Sequence, residues 1–314
     1  MIALSSLDKL LAVLKLNAKA IGCQPMAGGV SASMSLATIK FDDKSFQKWV
    51  IRQLSAETLA NRPFGLSMEF LLLGILHRHG IPVPLPVYLD AEGVLFGSPT
   101  LVLDYLEGDL DFSDWKLPQR IENLARVVAK LHSIDIDEVT SAGVPVLGLS
   151  LEQLVGKSPN NPDPYIKENA LRSTLVNHWP PQHGNPDALL HGDIWNGNLL
   201  WRGTQLSGII DWEDAWIGDP LLDIAGIRLD LACEFGMQYA DLFTSFYTSF
   251  RETDMHNLPL WDLVASLWFT RFINEDFVNH PGFFDQYNRP DITIDRFRTV
   301  TREFSQNALE KLSS

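Results

Sequence analysis

Apolar residues recur at Leu7, Leu10, Leu11 and Leu14 in the opening stretch MIALSSLDKLLAVLKLNAKAIG, the spacing of a helix with one buried face. The rhythm then changes. PMAGGVSASMSLATIKF and FQKWVIRQL read as strands, broken by a glycine-containing turn and by the polar DDKS. SMEFLLLGILHRHG is apolar over the length of a helix, with Gly80 placed to cap it and Pro82 to stop it. VPLPVYLDAEG and SPTLVLDYL add two strands joined by a turn. Beyond a connector at LEGD, 106–109, the pattern turns helical: in RIENLARVVAKLHSI, Ile121, Leu124, Ala125, Val128 and Leu131 share a face. GKSPNNPDP, 156–164, is a loop. HGDIWNGNLLW and LSGIIDWED are short strands and turns, and from about Pro220 the chain is helical and rich in aromatic residues. The pattern predicts an α+β protein, with an antiparallel-sheet lobe over 1–105 and a helical lobe over 106–314.

Composition narrows the partners. The net charge of −14, from 25 basic and 39 acidic residues, disfavours nucleic acid or an anionic membrane. With 46% hydrophobic residues over 314 positions the chain can bury a substantial core. Its two cysteines, Cys23 and Cys233, supply neither a disulfide framework nor a zinc spacing. No signal-peptide layout and no bilayer-length apolar run is visible, so the expectation is a cytoplasmic protein.

The densest chemistry lies in HGDIWNGN, 191–198, where Asp193 and Asn198 stand five residues apart in a glycine-containing loop. A solvated turn, a metal site or a catalytic loop would each explain it. Two further pieces are Ile209-Ile210-Asp211-Trp212-Glu213, an apolar strand ending in carboxylates, and Val50-Ile51-Arg52 on an early strand, followed by Glu69 in a helix. Strand base, helix acid, loop Asp with Asn, then strand-end Asp is the order of parts in the protein-kinase plan.

On these residues the chain resembles the aminoglycoside phosphotransferase and choline kinase-like family. The resemblance is carried by LLHGDIWNGNLLW and GIIDWEDAWIGDPLLDIA. MAGGVSAS, EFLLLGILHRHGIPVP, LVLDYLEG and AKLHSID support it more weakly, together spanning roughly 20–230. It implies a two-lobed protein-kinase-like fold and transfer of the γ-phosphate of ATP, or of GTP, to a hydroxyl of a small molecule with Mg²⁺. By the same resemblance Asp193 is the catalytic base and His191 orients its loop, while Asn198 and Asp211 offer oxygen ligands to the metal. Arg52 reaches phosphate oxygens and pairs with Glu69. Gly28, Gly29 and Ser31 bring backbone N–H groups to the phosphates, Tyr105 and Leu106 present main chain to the adenine edge, and Asp223 braces the catalytic loop from below.

Plainer readings compete. Asp193 and Asp211 are good turn formers, Asn198 a good local cap, and Gly28-Gly29 an ordinary hairpin turn. Arg52 reads equally as an exposed edge-strand residue, with Lys48 on the same face as the alternate cation, and Glu69 as the solvent edge of its helix. For the whole protein the alternatives are a catalytically silent nucleotide-binding pseudoenzyme and a metal-dependent hydrolase using His191, Asp193 and Asp211. Glu234, Asp262, Glu275 and Asp276 suggest an acidic rim for an amine-bearing acceptor. Trp261, Trp268 and Phe269 suggest an aromatic wall for a quaternary ammonium. Solvated helix faces and core packing produce the same patterns.

Overall fold

The computed structural model of the chain describes residues 2–26, 32–54, 65–148, 150–182, 184–274, 280 and 282–313. They form two compact units that interleave along the sequence. One comprises Met1–Glu107, Asp137–Val144 and Ser207–Glu213; the other comprises Gly108–Ile136, Pro145–Leu206 and Asp214–Ser314.

The first unit is built on a five-stranded sheet of β1 (Ala18–Pro25), β2 (Ala32–Phe41), β3 (Phe46–Leu54), β4 (Pro86–Asp90) and β5 (Thr100–Asp104), in the order β1-β2-β3-β5-β4. Every neighbouring pair is antiparallel. Helix α1 (Leu4–Val13) lays Leu7, Leu10 and Leu11 against Ile39, Trp49, Ile51 and Val102 of this sheet. The helix stops well short of the segment its apolar spacing suggests. Lys15 is left-handed, at φ 56°, and beyond it Leu16, just before β1, and Ala18 and Ala20 within it recur every second position, the period of a strand. The Asp8 side chain accepts the Ala20 N–H at 3.1 Å and ties helix to strand.

Since Trp49 and Ile51 face that core, Val50 and Arg52 point to the opposite side of β3. This strand is central, not an edge: Arg52 pairs across Met34 on β2 and Leu101 on β5. Helix α2 (Gly65–Arg78) ends as its sequence predicts. Gly80 takes φ 64°, its N–H donates to the His77 carbonyl at 2.9 Å, and Ile81 N–H reaches Leu76 O at 3.0 Å.

The second unit is mostly helical. It holds α3 (Leu117–Leu131), α4 (Glu168–His178), α5 (Leu221–Phe235), α6 (Met237–Phe250), α7 (Leu258–Phe272) and α8 (Ile294–Ser313). Helix α5 is enclosed by α6, α7 and α8, and its apolar residues are buried all round, as an internal helix requires. Strand β6 (Ala188–Leu190) leads into the HGDIWNGN loop, which ends in β7 (Leu199–Arg202). Strand β8 (Gln205–Ile209) precedes Asp211, and β9 (Trp216–Gly218) pairs antiparallel with β6. The chain is thus α+β, with its antiparallel sheet N-terminal and its helices mainly C-terminal. No helix among the described residues is long and apolar enough to cross a membrane.

Candidate functional site

In the first unit, four charged side chains converge from three distant stretches of sequence. Arg52 is only 5% exposed and Glu69 only 4%, so neither is a solvated edge residue. Arg52 Nη1 donates to Glu69 Oε1 at 2.5 Å; its Nη2 donates to Glu213 and lies 3.6 Å from Asp211 Oδ1. A planar guanidinium can serve two carboxylates from two nitrogens, which a single ammonium cannot. Lys48, the alternate cation, is exposed and lies over the Tyr105 ring at 5.2 Å. Burial works against the charge of Arg52, but Glu69, Asp211 and Glu213 outweigh it and hold the pKa above its ordinary value.

Three carboxylates around one guanidinium leave the group net negative. The Asp211 side chain is still 43% exposed. Desolvation by the surrounding protein and then the Glu213 carboxylate push its pKa up to about 7, against the pull of Arg52. Asp211 also sits at φ 66°, a left-handed conformation that costs a non-glycine residue about 1 kcal/mol or more. The Trp212 indole N–H, donating to Ile209 O at 3.0 Å, fastens the turn. Oxygen donors of this kind suit a hard divalent cation such as Mg²⁺.

In the second unit, the HGDIWNGN loop is held from behind by one buried carboxylate. Asp223, on α5, accepts the His191 N–H on Oδ2 and the Gly192 N–H on Oδ1, both at 2.9 Å. His132 Nε2 lies 3.3 Å from the same Oδ2, and its Nδ1 is 2.9 Å from the Tyr247 hydroxyl. His191 is fully buried, and its Nδ1 accepts the Asp193 N–H at 3.2 Å, which leaves the neutral ring protonated on Nε2. Asp193 itself is exposed. Asn198 Nδ2 donates to both the Asp193 carbonyl and Asp193 Oδ2, each at 2.9 Å. With its nitrogen so used, Oδ1 is the atom Asn198 can offer to a metal. The acid and the amide therefore form one unit and are not separate turn formers.

The two glycines of the loop have different reasons. Gly192 is left-handed, at φ 86°, and a Cβ there would lie 2.2 Å from the Asp214 carbonyl oxygen. At Gly197 a Cβ would meet the Trp195 indole at 2.1 Å. Gly192→Ala is expected to cost about 1–3 kcal/mol in urea unfolding, because both the backbone conformation and a main-chain contact forbid the methyl group. An alanine variant as stable as the wild type would show that the loop closes differently.

Asp223 gives the loop a pH dependence. Burial raises its pKa, but the bond from His132 and the backbone N–H groups of the loop outweigh burial and hold it below the ordinary carboxylate value. A carboxyl depressed in the folded state stabilises above its unfolded pKa, and that contribution fades as pH falls through the folded value. Asp223→Asn keeps one acceptor and loses the other, an expected loss of about 1–3 kcal/mol at neutral pH. The gap between the two proteins in thermal unfolding should narrow on acidification through the carboxylate range. A constant gap would contradict this account.

Other expected residues fall less neatly. Gly28, Gly29 and Ser31 lie outside the described residues, as do Glu275 and Asp276. Tyr105 follows β5, and its N–H donates to Lys48 O at 3.0 Å; Leu106 is half-buried beside it. Glu234 and Asp262 are not a rim. Glu234 is buried and takes the Asn196 side-chain N–H, with burial pushing its pKa up to about 8 against Asn196, Arg289 and Arg296. Asp262 is buried against Arg228. Trp261 is fully enclosed beside Trp179, whereas Trp268 and Phe269 line a cavity of about 350 Å³ that also contains Asp193.

Sequence reasoning missed His132, Glu213 as the second partner of Arg52, and Asp230, which lines the same cavity. One signal was present: Asp223, Asp230 and Glu234 stand at i, i+7 and i+11, a single acidic stripe on a helix otherwise made for burial.

Comparison with known proteins identifies the family and the fold. Acyl-CoA dehydrogenase family member 11 of Homo sapiens is 24% identical over 200 residues, 59% of this chain but 26% of that protein, so the chain spans about a quarter of it. Homoserine kinase of Nitrobacter hamburgensis is 30% identical over 234 residues, covering 67% of this chain and 68% of that one. Among solved structures, the GDP complex of wild-type aminoglycoside 2'-phosphotransferase-IIIa superposes with a TM-score of 0.60 at 19% identity, covering 97% of this chain and 99% of that chain. Macrolide 2'-phosphotransferase of Brachybacterium faecium gives 0.62 at 17%, covering 91% and 99%. These two share the fold. The family model described as phosphotransferase enzyme family matches residues 24–267, through both the HGDIWNGN loop and the Asp211 turn, and the chain belongs to that family.

Proposed function

We propose that the protein is a small-molecule kinase that moves the terminal phosphoryl group of a Mg²⁺-bound nucleoside triphosphate, ATP in the first instance, onto a hydroxyl group. The observation that carries this reading is the Asp193–Asn198 unit: an exposed carboxylate, oriented by an amide, on a loop anchored to Asp223. Phosphoryl transfer asks for positioning and charge neutralisation more than for covalent help. Asp193 accepts the O–H of the acceptor. As the new O–P bond forms and the bond to the departing nucleoside diphosphate breaks, the hydroxyl proton passes to the Asp193 carboxylate. His191, buried with Nδ1 engaged by the Asp193 N–H, orients the loop and takes no part in the proton transfer. Asn198 Oδ1 and the Asp211 carboxylate are the oxygen donors that would hold Mg²⁺, which would supply neutralisation of the phosphate charge. Arg52, fixed between Glu69 and Glu213, meets phosphate oxygens. By the family resemblance, Gly28, Gly29 and Ser31 would offer backbone N–H groups to the phosphates, and Tyr105 and Leu106 main chain to the base.

Homoserine, aminoglycosides and macrolides all bear hydroxyl groups, and the relatives named for them support a hydroxyl acceptor here. The GDP bound to one neighbour supports testing GTP as the other donor. The pseudoenzyme reading has little to rest on while Asp193, Asn198 and Asp211 are all in place. The hydrolase reading lacks its ligand set: among the described residues no three His, Cys, Asp or Glu side chains gather as a metal site. Cytoplasmic residence fits the two unpaired cysteines.

The test is nucleoside diphosphate release from Mg·ATP and Mg·GTP over a panel of homoserine, choline, an aminoglycoside, a macrolide and simple alcohols. Acceptor-stimulated release from one donor is expected. Failure of both nucleotides to bind in calorimetry would sink the reading.

A further inference from the structure

We propose that the acceptor is an alcohol with an apolar, uncharged body, seated in the aromatic cavity beside Asp193, with Asp230 donating a hydrogen bond to a second oxygen atom of the molecule. This rests on the kinase reading of Asp193 and names the acceptor class for that site.

Seven of the nine described residues lining the cavity are aromatic; the other two are Asp193 and Asp230. The rings support one another and form a continuous wall. Trp195 lies 5.9 Å from Phe283, Phe283 5.1 Å from Phe284, Phe284 5.4 Å from Phe297 and Phe297 5.8 Å from Phe269, centroid to centroid. Trp268 donates its indole N–H to the Leu154 carbonyl, so its contribution to the wall is apolar. The volume of about 350 Å³ is at the small end for a ligand site and suits a compact body.

Charge narrows the occupant from both sides. The described lining carries no basic side chain, which disfavours carboxylate- or phosphate-bearing molecules inside the cavity. The two acids do not make it a cation site either. Asp193 is oriented by Asn198 to receive the hydroxyl proton, and an ammonium drawn to it would displace the hydroxyl. Asp230 faces no counter-cation among the described residues. The charges acting on it are Glu234, one turn along α5, and Asp193. Burial and these two acids push its pKa well above the ordinary carboxylate value, which favours the protonated form, and its place in the cavity wall puts that carboxyl where a ligand oxygen can meet it. An apolar wall with one hydrogen-bond donor and one proton acceptor is complementary to a hydroxy compound with a single further oxygen, such as a ketone, ether or diol.

Matched probes test this on the full chain. 3,3-Dimethylbutan-1-ol and choline share a shape and differ in charge; so, closely, do 3-phenylpropan-1-ol and phenylalaninol. Binding is read by calorimetry and turnover by nucleoside diphosphate release. The uncharged member of each pair is expected to bind at least about tenfold more tightly. In Asp230→Asn, whose amide still donates, that order should persist. Equal or tighter binding of the cationic members, lost in Asp230→Asn, would overturn the proposal in favour of an ammonium acceptor. No binding of either uncharged probe at millimolar concentration would overturn it outright. Binding without turnover by either nucleotide would strike the kinase reading instead, and turnover of homoserine with no uptake of the uncharged probes would strike the cavity assignment alone.

Discussion

Asp193→Asn is expected to lower acceptor-dependent nucleoside diphosphate release by about 10²–10⁴-fold, the range for losing a general base. The substitution is nearly isosteric. It retains an oxygen for the Asn198 amide to bond and leaves the Asp223 anchorage untouched, since the His191 and Gly192 N–H groups are main chain. Folding should therefore be intact. Nucleotide affinity should change little, because Arg52 and Asp211, which are proposed to meet phosphate and metal, belong to a different part of the chain. The measurement pairs initial rates at saturating acceptor with calorimetry of Mg·nucleotide binding and a thermal melt. A rate within threefold of the wild type, with binding preserved, would remove Asp193 from the proton-accepting role.

Arg52→Met is expected to be the most destabilising single change in the first unit, at about 3–5 kcal/mol. The methionine fills much the same space, so the loss is electrostatic. Glu69 is left buried without its cation, and Glu213 and Asp211 lose the charge that offsets their mutual repulsion. Arg52→Lys should fall between, since one ammonium cannot bond Glu69 and Glu213 from two separate nitrogens. The double variant Arg52→Met/Glu69→Met should recover part of the loss, as a buried ion pair is often replaceable by well-packed apolar side chains while half of it is not. Urea unfolding of these proteins together with Glu69→Met closes the cycle and gives the coupling. A single-variant loss below about 1 kcal/mol would mean that the cluster is solvated and not structural.

What the sequence could disclose depended on how local each cause was. Strand β3 was readable because alternation is a property of adjacent residues, and the same alternation separates Arg52 from the Ile51 side of the sheet. Gly80 was readable because a helix cap is settled within a few residues. The extent of α1 is hidden because Leu14 continues the helical spacing while Leu16 begins the alternation that Ala18 and Ala20 carry on in β1; only the packing of these residues in the core decides between them. Asp193 with Asn198 was visible as a pair five residues apart, but Glu213 lies 161 positions from Arg52, and no spacing rule reaches that far. Burial was equally hidden. Glu234 and Asp262 are written like surface acids, and what encloses them arrives from other helices. The aromatic wall was half visible: Trp268 and Phe269 are in it, whereas Trp261, seven positions before Trp268, faces the core.

The interleaving of the two units bears on inheritance. Ser207–Glu213, seven consecutive residues, belong with the N-terminal sheet although the chain on either side of them belongs with the helices. They carry Asp211 and Glu213, two of the three acids around Arg52. Recombination at a single breakpoint near residue 107 would hand a new host a sheet whose guanidinium has lost most of its own counter-charge. This sheet is thus a poor cassette for exchange between genes.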